Sequence, residues 1–311
     1  MTPRVSVVIP VFNKADWIEE TLQSVINQSY ADWEAIVIDD GSTDDSLDIV
    51  KRFIESHPGA WKVISQCNQG QCKTRNTGIQ ESKGEFIAFL DGDDCWAVNK
   101  LEVQVAMLAA NPKASLVLCP YLISKNDLPH WKTRLVLHRN SKKLLKNWLS
   151  LRGFGGGTES TGLARKELLL AEGGFDTNLS TSAGLDLTMR LSRLGTILFA
   201  NNTYMKYRIH TGQWHTDQGV LSEDLASLRN KIFPSSTKDF VKVKRAHDAY
   251  LRFQELRQGV SMNRSNSKDI ELVAYFHLFV LVYRILSRTL VARARSIFPT
   301  VLTRIPKIYL S

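Results

Sequence analysis

The sequence predicts an α/β fold: a mostly parallel sheet flanked by helices on both faces. Two observations predict it. Short apolar runs rich in β-branched residues recur through the first part of the chain, and stretches with apolar residues at helical spacing separate them. Strands buried on both faces read as continuous apolar runs, and strand–helix alternation of this kind builds parallel sheets.

The elements follow in order. Strands are expected at Val5–Ile9, Ala35–Ile38, Lys62–Ile64, Glu85–Leu90 and Leu116–Cys119. Helices are expected near Ala15–Asn27, Asp44–Glu55, Thr74–Glu81 and Lys100–Ala110. Sheets of this class bind ligands beyond the carboxyl ends of their strands, where strand order switches. The first strand ends at Pro10-Val11-Phe12-Asn13, the second at Asp39-Asp40-Gly41-Ser42 and the fourth at Asp91-Gly92-Asp93-Asp94. Three polar turns therefore converge on one sheet edge.

Composition bounds the rest. With 311 residues, 43% hydrophobic and 23% charged, the chain suits a globular protein of one large domain or one domain with an appendage. Cys67, Cys72, Cys95 and Cys119 form no CxxC pair and no zinc spacing, so they are expected to be reduced core or pocket residues of a cytoplasmic protein. The apolar segment after Met1 is too short for a signal peptide and reads as the first strand. The net charge of +9 is uneven: residues 231–311 carry 15 Lys and Arg against 5 Asp and Glu, a net of +10, and residues 1–230 carry 25 against 26. A neutral body with a basic tail excludes a nucleic-acid-binding protein, and no G-x-G-x-x-G follows the first strand, which excludes a dinucleotide-binding dehydrogenase.

Asp91-Gly92-Asp93-Asp94 comes straight off the apolar run Phe86–Leu90. Carboxylates this close repel and raise one another's pKa, and a divalent cation that also holds phosphate oxygens removes the cost. An acidic surface turn is the alternative. In Asp39-Asp40-Gly41-Ser42-Thr43, Gly41 makes the turn and Ser42 or Thr43 is expected to cap the next helix, while Asp40 offers an acceptor for a nucleobase N–H. Arg75 supplies a cation that would neutralise a phosphate or pair with the carboxylates.

Val5–Asn13, Ile38–Asp44, Asn76-Thr77-Gly78-Ile79, Phe89–Asp94, and Trp96 followed by Lys100–Gln104 together resemble the family 2 glycosyltransferases with the GT-A fold, in order and spacing. The resemblance spans roughly residues 4–213 and implies transfer of a sugar from a nucleotide diphosphate donor to an acceptor hydroxyl with inversion. It places Pro10 and Phe12 beside the nucleobase, Asp40 on the base, Asp91 on the ribose and Asp93 on a Mn²⁺ or Mg²⁺ ion. His210, in Tyr207-Arg208-Ile209-His210, resembles the late histidine on the metal and diphosphate side, and Gly155-Gly156-Gly157-Thr158 the glycine-rich segment near the sugar. UDP is the family's default nucleotide.

The pattern breaks at one place. Where the family carries Glu-Asp before a late helix, the Asp being its general base, this chain has Ala183-Gly184. A missing base costs about 10²- to 10⁴-fold in rate. Three outcomes are open: Asp186 as base, Glu159 as base, or a partner protein that binds a nucleotide sugar without efficient turnover. Residues 1–230 are read as the GT-A domain and 231–311 as a basic, mainly helical extension. On a helix His277, Arg284, Arg288 and Arg295 fall within roughly 40° of one another, a basic stripe suited to a membrane interface or to packing on the catalytic domain or a second subunit. A membrane contact would suit a lipid-linked saccharide acceptor at the inner face.

Overall fold

The computed structural model describes residues 3–125, 132–134, 159–210 and 224, 227 and 228. The glycine run 155–158 and the extension 231–311 lie outside the described residues. The strands are β1 Val5–Val11, β2 Trp33–Asp39, β3 Trp61–Ser65, β4 Phe86–Phe89, β5 Cys95–Trp96, β6 Ala114–Leu118, β7 Tyr121–Lys125, β8 Lys132–Arg134, β9 Leu163–Arg165, β10 Thr196–Phe199 and β11 Met205–Ile209. The helices are α1 Ile18–Ile26, α2 Ser46–Ser56, α3 Gln71–Glu81, α4 Lys100–Ala110, α5 Lys166–Ala171 and α6 Ala183–Leu194.

Seven strands form the main sheet in the order β10-β6-β9-β4-β1-β2-β3. All neighbours are parallel except at β9, which runs antiparallel to both β4 and β6. The mostly parallel sheet read from the sequence is thus present, with its first four strands close to their expected bounds. A second sheet, β5-β11-β7-β8, packs Trp96, Tyr121 and Met205 into the core that β1 lines on one face.

Both faces of the main sheet are buried. Along β1, Val5, Val7, Ile9 and Val11 enter one core with Leu22 of α1, Phe53 of α2 and Leu101 of α4, while Val8 enters the other with Ile79 of α3 and Leu187 and Leu191 of α6. This explains why the strands read as unbroken apolar runs: alternate side chains point to opposite cores, and both are dry. Burying one such aliphatic side chain contributes about 1.5–3 kcal/mol. Gly78 on α3 marks a close approach, since a Cβ there would stand 2.2 Å from Val8 Cγ1.

The cysteines are all free. Cys72, Cys95 and Cys119 are buried as expected, whereas Cys67 is exposed on the loop after β3. Among the described residues no helix is long and apolar enough to cross a membrane.

Candidate functional site

Parallel pairing of β4, β1 and β2 brings their carboxyl ends side by side. The loops that leave β1 and β2 are stitched together. Asn13, in the left-handed region at φ 52°, donates its N–H to Ser42 Oγ at 3.0 Å and accepts from Thr43 N–H at 2.8 Å. Lys14 N–H donates to Ser46 Oγ at 2.6 Å and Ala15 N–H to Asp44 at 3.0 Å. Ser42 and Thr43 therefore do not cap α2. Its first turn is met instead by Asp44, which accepts from Ser46 N–H at 3.0 Å, and Ser42 and Thr43 serve the loop-to-loop clasp. Beside this clasp Pro10 is buried and Phe12 is 43% exposed at the sheet edge.

The Asp91–Asp94 turn is fastened from two sides. Asp91 N–H donates to Ser160 Oγ at 3.1 Å, and the Thr21 hydroxyl reaches the carbonyls of Gly92 and Asp94 at 3.1 and 2.8 Å. Three carboxylates in one turn would repel, and each has its own remedy. Asp91 accepts from Arg75 Nη2 at 2.6 Å, with the Arg75 side chain only 3% exposed. Burial of that guanidinium works against its charge, but Asp91 and Glu159 outweigh burial and raise its pKa above the ordinary value. Asp93 Oδ2 meets Lys14 Nζ at 2.6 Å and His210 Nε2 at 3.0 Å. Burial alone would push the Asp93 carboxyl up; the His210 hydrogen bond and the Lys14 charge reverse this and hold it at about 2. Asp94, fully enclosed, is driven well up by burial and by the charges of Asp93 and Asp91, which favours its protonated form, and Ser160 Oγ donates to it at 2.6 Å.

His210 is held in turn by Trp17, whose ring centroid lies 5.5 Å from the imidazole and 4.4 Å from the Arg208 guanidinium carbon. Arg208 donates to Glu20 at 2.6 Å. Residues far apart in sequence thus converge on the Asp93 oxygen.

Asp40 has a local duty as well. Its Oδ1 accepts from Gln66 Nε2 at 2.8 Å and Gln69 N–H at 2.9 Å, and its Oδ2 from Gly70 N–H at 2.9 Å. The carboxylate so capped sits at the amino end of α3, whose first turn has no acidic residue of its own. Of a carboxylate's roughly four lone-pair sites, these donors take three.

The two alternatives for a base are placed very differently. Asp186 is buried, and its Oδ2 accepts from Arg190 Nε at 2.7 Å. Arg190 also donates to the carbonyls of Glu172 and Gly174 at 2.8 and 2.7 Å, so this pair fastens α6 to the Gly173-Gly174 turn. Glu159 precedes β9 and borders a small cavity of about 30 Å³ that Gly184, Thr188 and Phe175 also line. Glu159 and Gly184, the position where the family carries its base, therefore border the same space. Asp224, which sequence reasoning passed over, accepts at Oδ2 from the N–H groups of Ser180, Thr181 and Ser182 at 2.8, 2.6 and 3.0 Å and so caps the approach to α6.

The family model for glycosyl transferase family 2 matches residues 6–168, more than half of the chain. The chain belongs to that family. WfgD of Escherichia coli, a UDP-Glc:alpha-D-GlcNAc-diphosphoundecaprenol beta-1,3-glucosyltransferase, is 36% identical over 143 residues, which cover 46% of this chain and 55% of that protein. The matched segment spans only 15% to 55% of the length of the curated relatives. Residues 1–349 of S. aureus TarS, solved with UDP-GlcNAc, share the fold with a TM-score of 0.63 at 19% identity, over 87% of this chain and 78% of that one. The mannosyltransferase PcManGT from Pyrobaculum calidifontis, solved with GDP-Man and Mn²⁺, gives 0.60 at 21% identity, over 90% and 81%. The chain therefore has the GT-A fold that the resemblance implies, and β9 is the antiparallel strand of its main sheet.

The donor set at Asp93 and His210 suits a hard divalent ion. Two adjacent ligands of an octahedral ion with bonds near 2.1 Å lie about 3 Å apart, and Asp93 Oδ2 and His210 Nε2 are 3.0 Å apart. Among the described residues no third His, Cys, Asp or Glu joins them. An ion held by Asp93 and His210 would draw its other ligands from phosphate oxygens and water.

Proposed function

We propose that the chain transfers a sugar from a nucleotide diphosphate donor, a UDP-sugar by preference, to a hydroxyl of a saccharide or lipid-linked saccharide, with inversion, in the assembly of a surface polysaccharide or glycolipid. The observation that carries this reading is the meeting of Asp93 and His210 beside the Arg75–Asp91 pair at the carboxyl edge of a parallel sheet. The names of WfgD and of the solved neighbours, with their UDP- and GDP-linked sugars, support it.

Mn²⁺ or Mg²⁺ held by Asp93 and His210 would supply electrostatic stabilisation of the leaving diphosphate. The chain's own residues do the positioning. Phe12 offers an exposed ring face to the nucleobase, Pro10 shapes the strand end beneath it, and the Asp40 carboxylate accepts a base N–H. Asp91, fixed by Arg75, takes the ribose hydroxyls. Glu159 takes the proton from the acceptor hydroxyl as its oxygen bonds to the anomeric carbon. The diphosphate leaves from the opposite face, and the configuration inverts. Asp186 is left out of this chemistry because its carboxylate is committed to Arg190.

A second reading follows from the same site: a partner protein that binds the nucleotide sugar without turning it over, since Ala183-Gly184 carry no carboxylate. Turnover of UDP-glucose and UDP-GlcNAc by the parent, Asp93→Ala, Glu159→Gln and Asp186→Asn decides between them. Losses of about 10²-fold or more are expected for the first two variants, with Asp186→Asn much closer to the parent. Full activity of Glu159→Gln would remove it as base, and tight Mn²⁺-dependent nucleotide binding by an inert parent would establish the partner reading. A lipid-linked acceptor would place the protein at the inner membrane face through its basic tail; failure of the full chain to cosediment with anionic vesicles at low salt would end that idea.

A further inference from the structure

The oxygen of Asp93 that faces His210 already holds a cation of the protein itself. Lys14 Nζ lies 2.6 Å from Asp93 Oδ2, and the two side chains are 15% and 9% exposed. A divalent ion bound to that oxygen at about 2.1 Å would stand only about 3–4 Å from the ammonium, where like charges repel strongly. The ion and Lys14 would therefore compete for the oxygen.

Lys14 is not a surface lysine that has folded over by chance. Its backbone is fixed by Ser46 on its own N–H, by the left-handed Asn13 before it and by Asp44 on the next residue. Its stem runs across Gly92, where a Cβ would come within 3.2 Å of Lys14 Cγ. The backbone anchor is held by these hydrogen bonds, and the ammonium is held by Asp93. A diphosphate bound at this edge would be the nearest alternative anion, and a lysine grips phosphate well as a point charge.

We infer that Lys14 is the resident counter-ion of the metal carboxylate in the unloaded protein, and that its ammonium passes from Asp93 to the donor diphosphate when metal and nucleotide bind. The inference rests on the reading of Asp93 and His210 as metal ligands. Metal alone must displace Lys14 without giving its ammonium a new partner. Metal with nucleotide gives the ammonium a new partner, so the two ligands bind with positive coupling, and linkage makes the coupling reciprocal.

The test is a titration of the full chain with Mn²⁺, following the free-ion signal by electron paramagnetic resonance, with and without UDP, for the parent and Lys14→Met. The Met variant is expected to bind Mn²⁺ alone about tenfold more tightly than the parent, and UDP is expected to strengthen Mn²⁺ binding about tenfold in the parent and less in the variant. Lys14→Arg, which keeps a cation on Asp93, is expected to follow the parent. Equal Mn²⁺ affinity of parent and Met variant without UDP overturns the inference. If both bind Mn²⁺ in a UDP-dependent way that the substitution leaves unchanged, the metal reading stands and the role of Lys14 falls. If no combination binds Mn²⁺, both fall. Thermal melting checks that the Met variant folds, and Lys14→Gln takes its place in the same titration if it does not.

Discussion

Replacing Arg75 with Met removes the cation that pairs with Asp91 in the carboxylate-rich turn. The geometry sets the size of the effect. Arg75 Nη2 lies 2.6 Å from Asp91 Oδ1, with the arginine side chain 3% and the aspartate 24% exposed. Breaking a fully buried ion pair costs about 3–5 kcal/mol because a charge is left behind in a poor solvent. Asp91 keeps some contact with water, which screens the loss, so about 2–3 kcal/mol is expected. For a domain of this size that lowers the melting temperature by about 5–10 °C. Part of the loss is packing, since the guanidinium carbon also lies 5.4 Å from the centre of the Phe175 ring. A double-mutant cycle by urea unfolding with Asp91→Asn separates the two contributions. The coupling energy is expected to be about 1.5–2 kcal/mol in favour of the pair. Additivity of the two substitutions within about 0.5 kcal/mol would show that the pair is not what stabilises the turn.

Two further outcomes are expected from the core. Lys100 is wholly buried, over the Trp96 ring at 4.0 Å, and burial pulls its pKa down from 10.5 to about 8. A lysine whose folded pKa is depressed lowers stability most below that value, and the penalty is relieved as pH rises from about 8 towards 10.5, where only the unfolded chain keeps the proton. The stability advantage of Lys100→Met over the parent should therefore shrink by about 3 kcal/mol between pH 7 and 10.5, measured by urea unfolding; a difference that stays flat would contradict the buried-charge explanation. Gly78→Ala should destabilise by about 1–3 kcal/mol through overpacking, against its gain in helix propensity, and Val8→Ala in the same chain should recover part of the loss; a stabilised Gly78→Ala would mean that α3 does not pack as closely as 2.2 Å implies.

The parallel half of the sheet was legible because β1, β2 and β4 are dry on both faces, and such strands announce themselves as apolar runs. β9 was not. It is three residues long, and its register with Phe86–Ala88 and Leu116–Val117 is a tertiary fact with no local signature. The two-residue β5 and its pairing with β11 were hidden for the same reason. At the site, the spacing of Asp91 and Asp93 and the late His210 were readable as motif, but Lys14 was not, because a lysine after a strand end looks like any solvated turn residue. Only the folded loop shows that it points to Asp93. The capping role of Asp40 was hidden because its partners, Gln69 and Gly70, lie in another loop. Asp186 is the opposite case: its spacing of four from Arg190 on one helix is an ion-pair signal, and the structure makes that pair.

The most direct test of the metal-diphosphate site is calorimetric titration of UDP into the parent and into Asp93→Asn, each with and without Mn²⁺. Asparagine keeps the shape of the side chain but removes the charge on which metal coordination depends. The expected result is UDP binding by the parent that Mn²⁺ strengthens about tenfold or more, and binding by the variant that Mn²⁺ leaves unchanged. Equal enhancement by Mn²⁺ in both proteins would contradict the assignment of Asp93 as the residue that joins metal to donor.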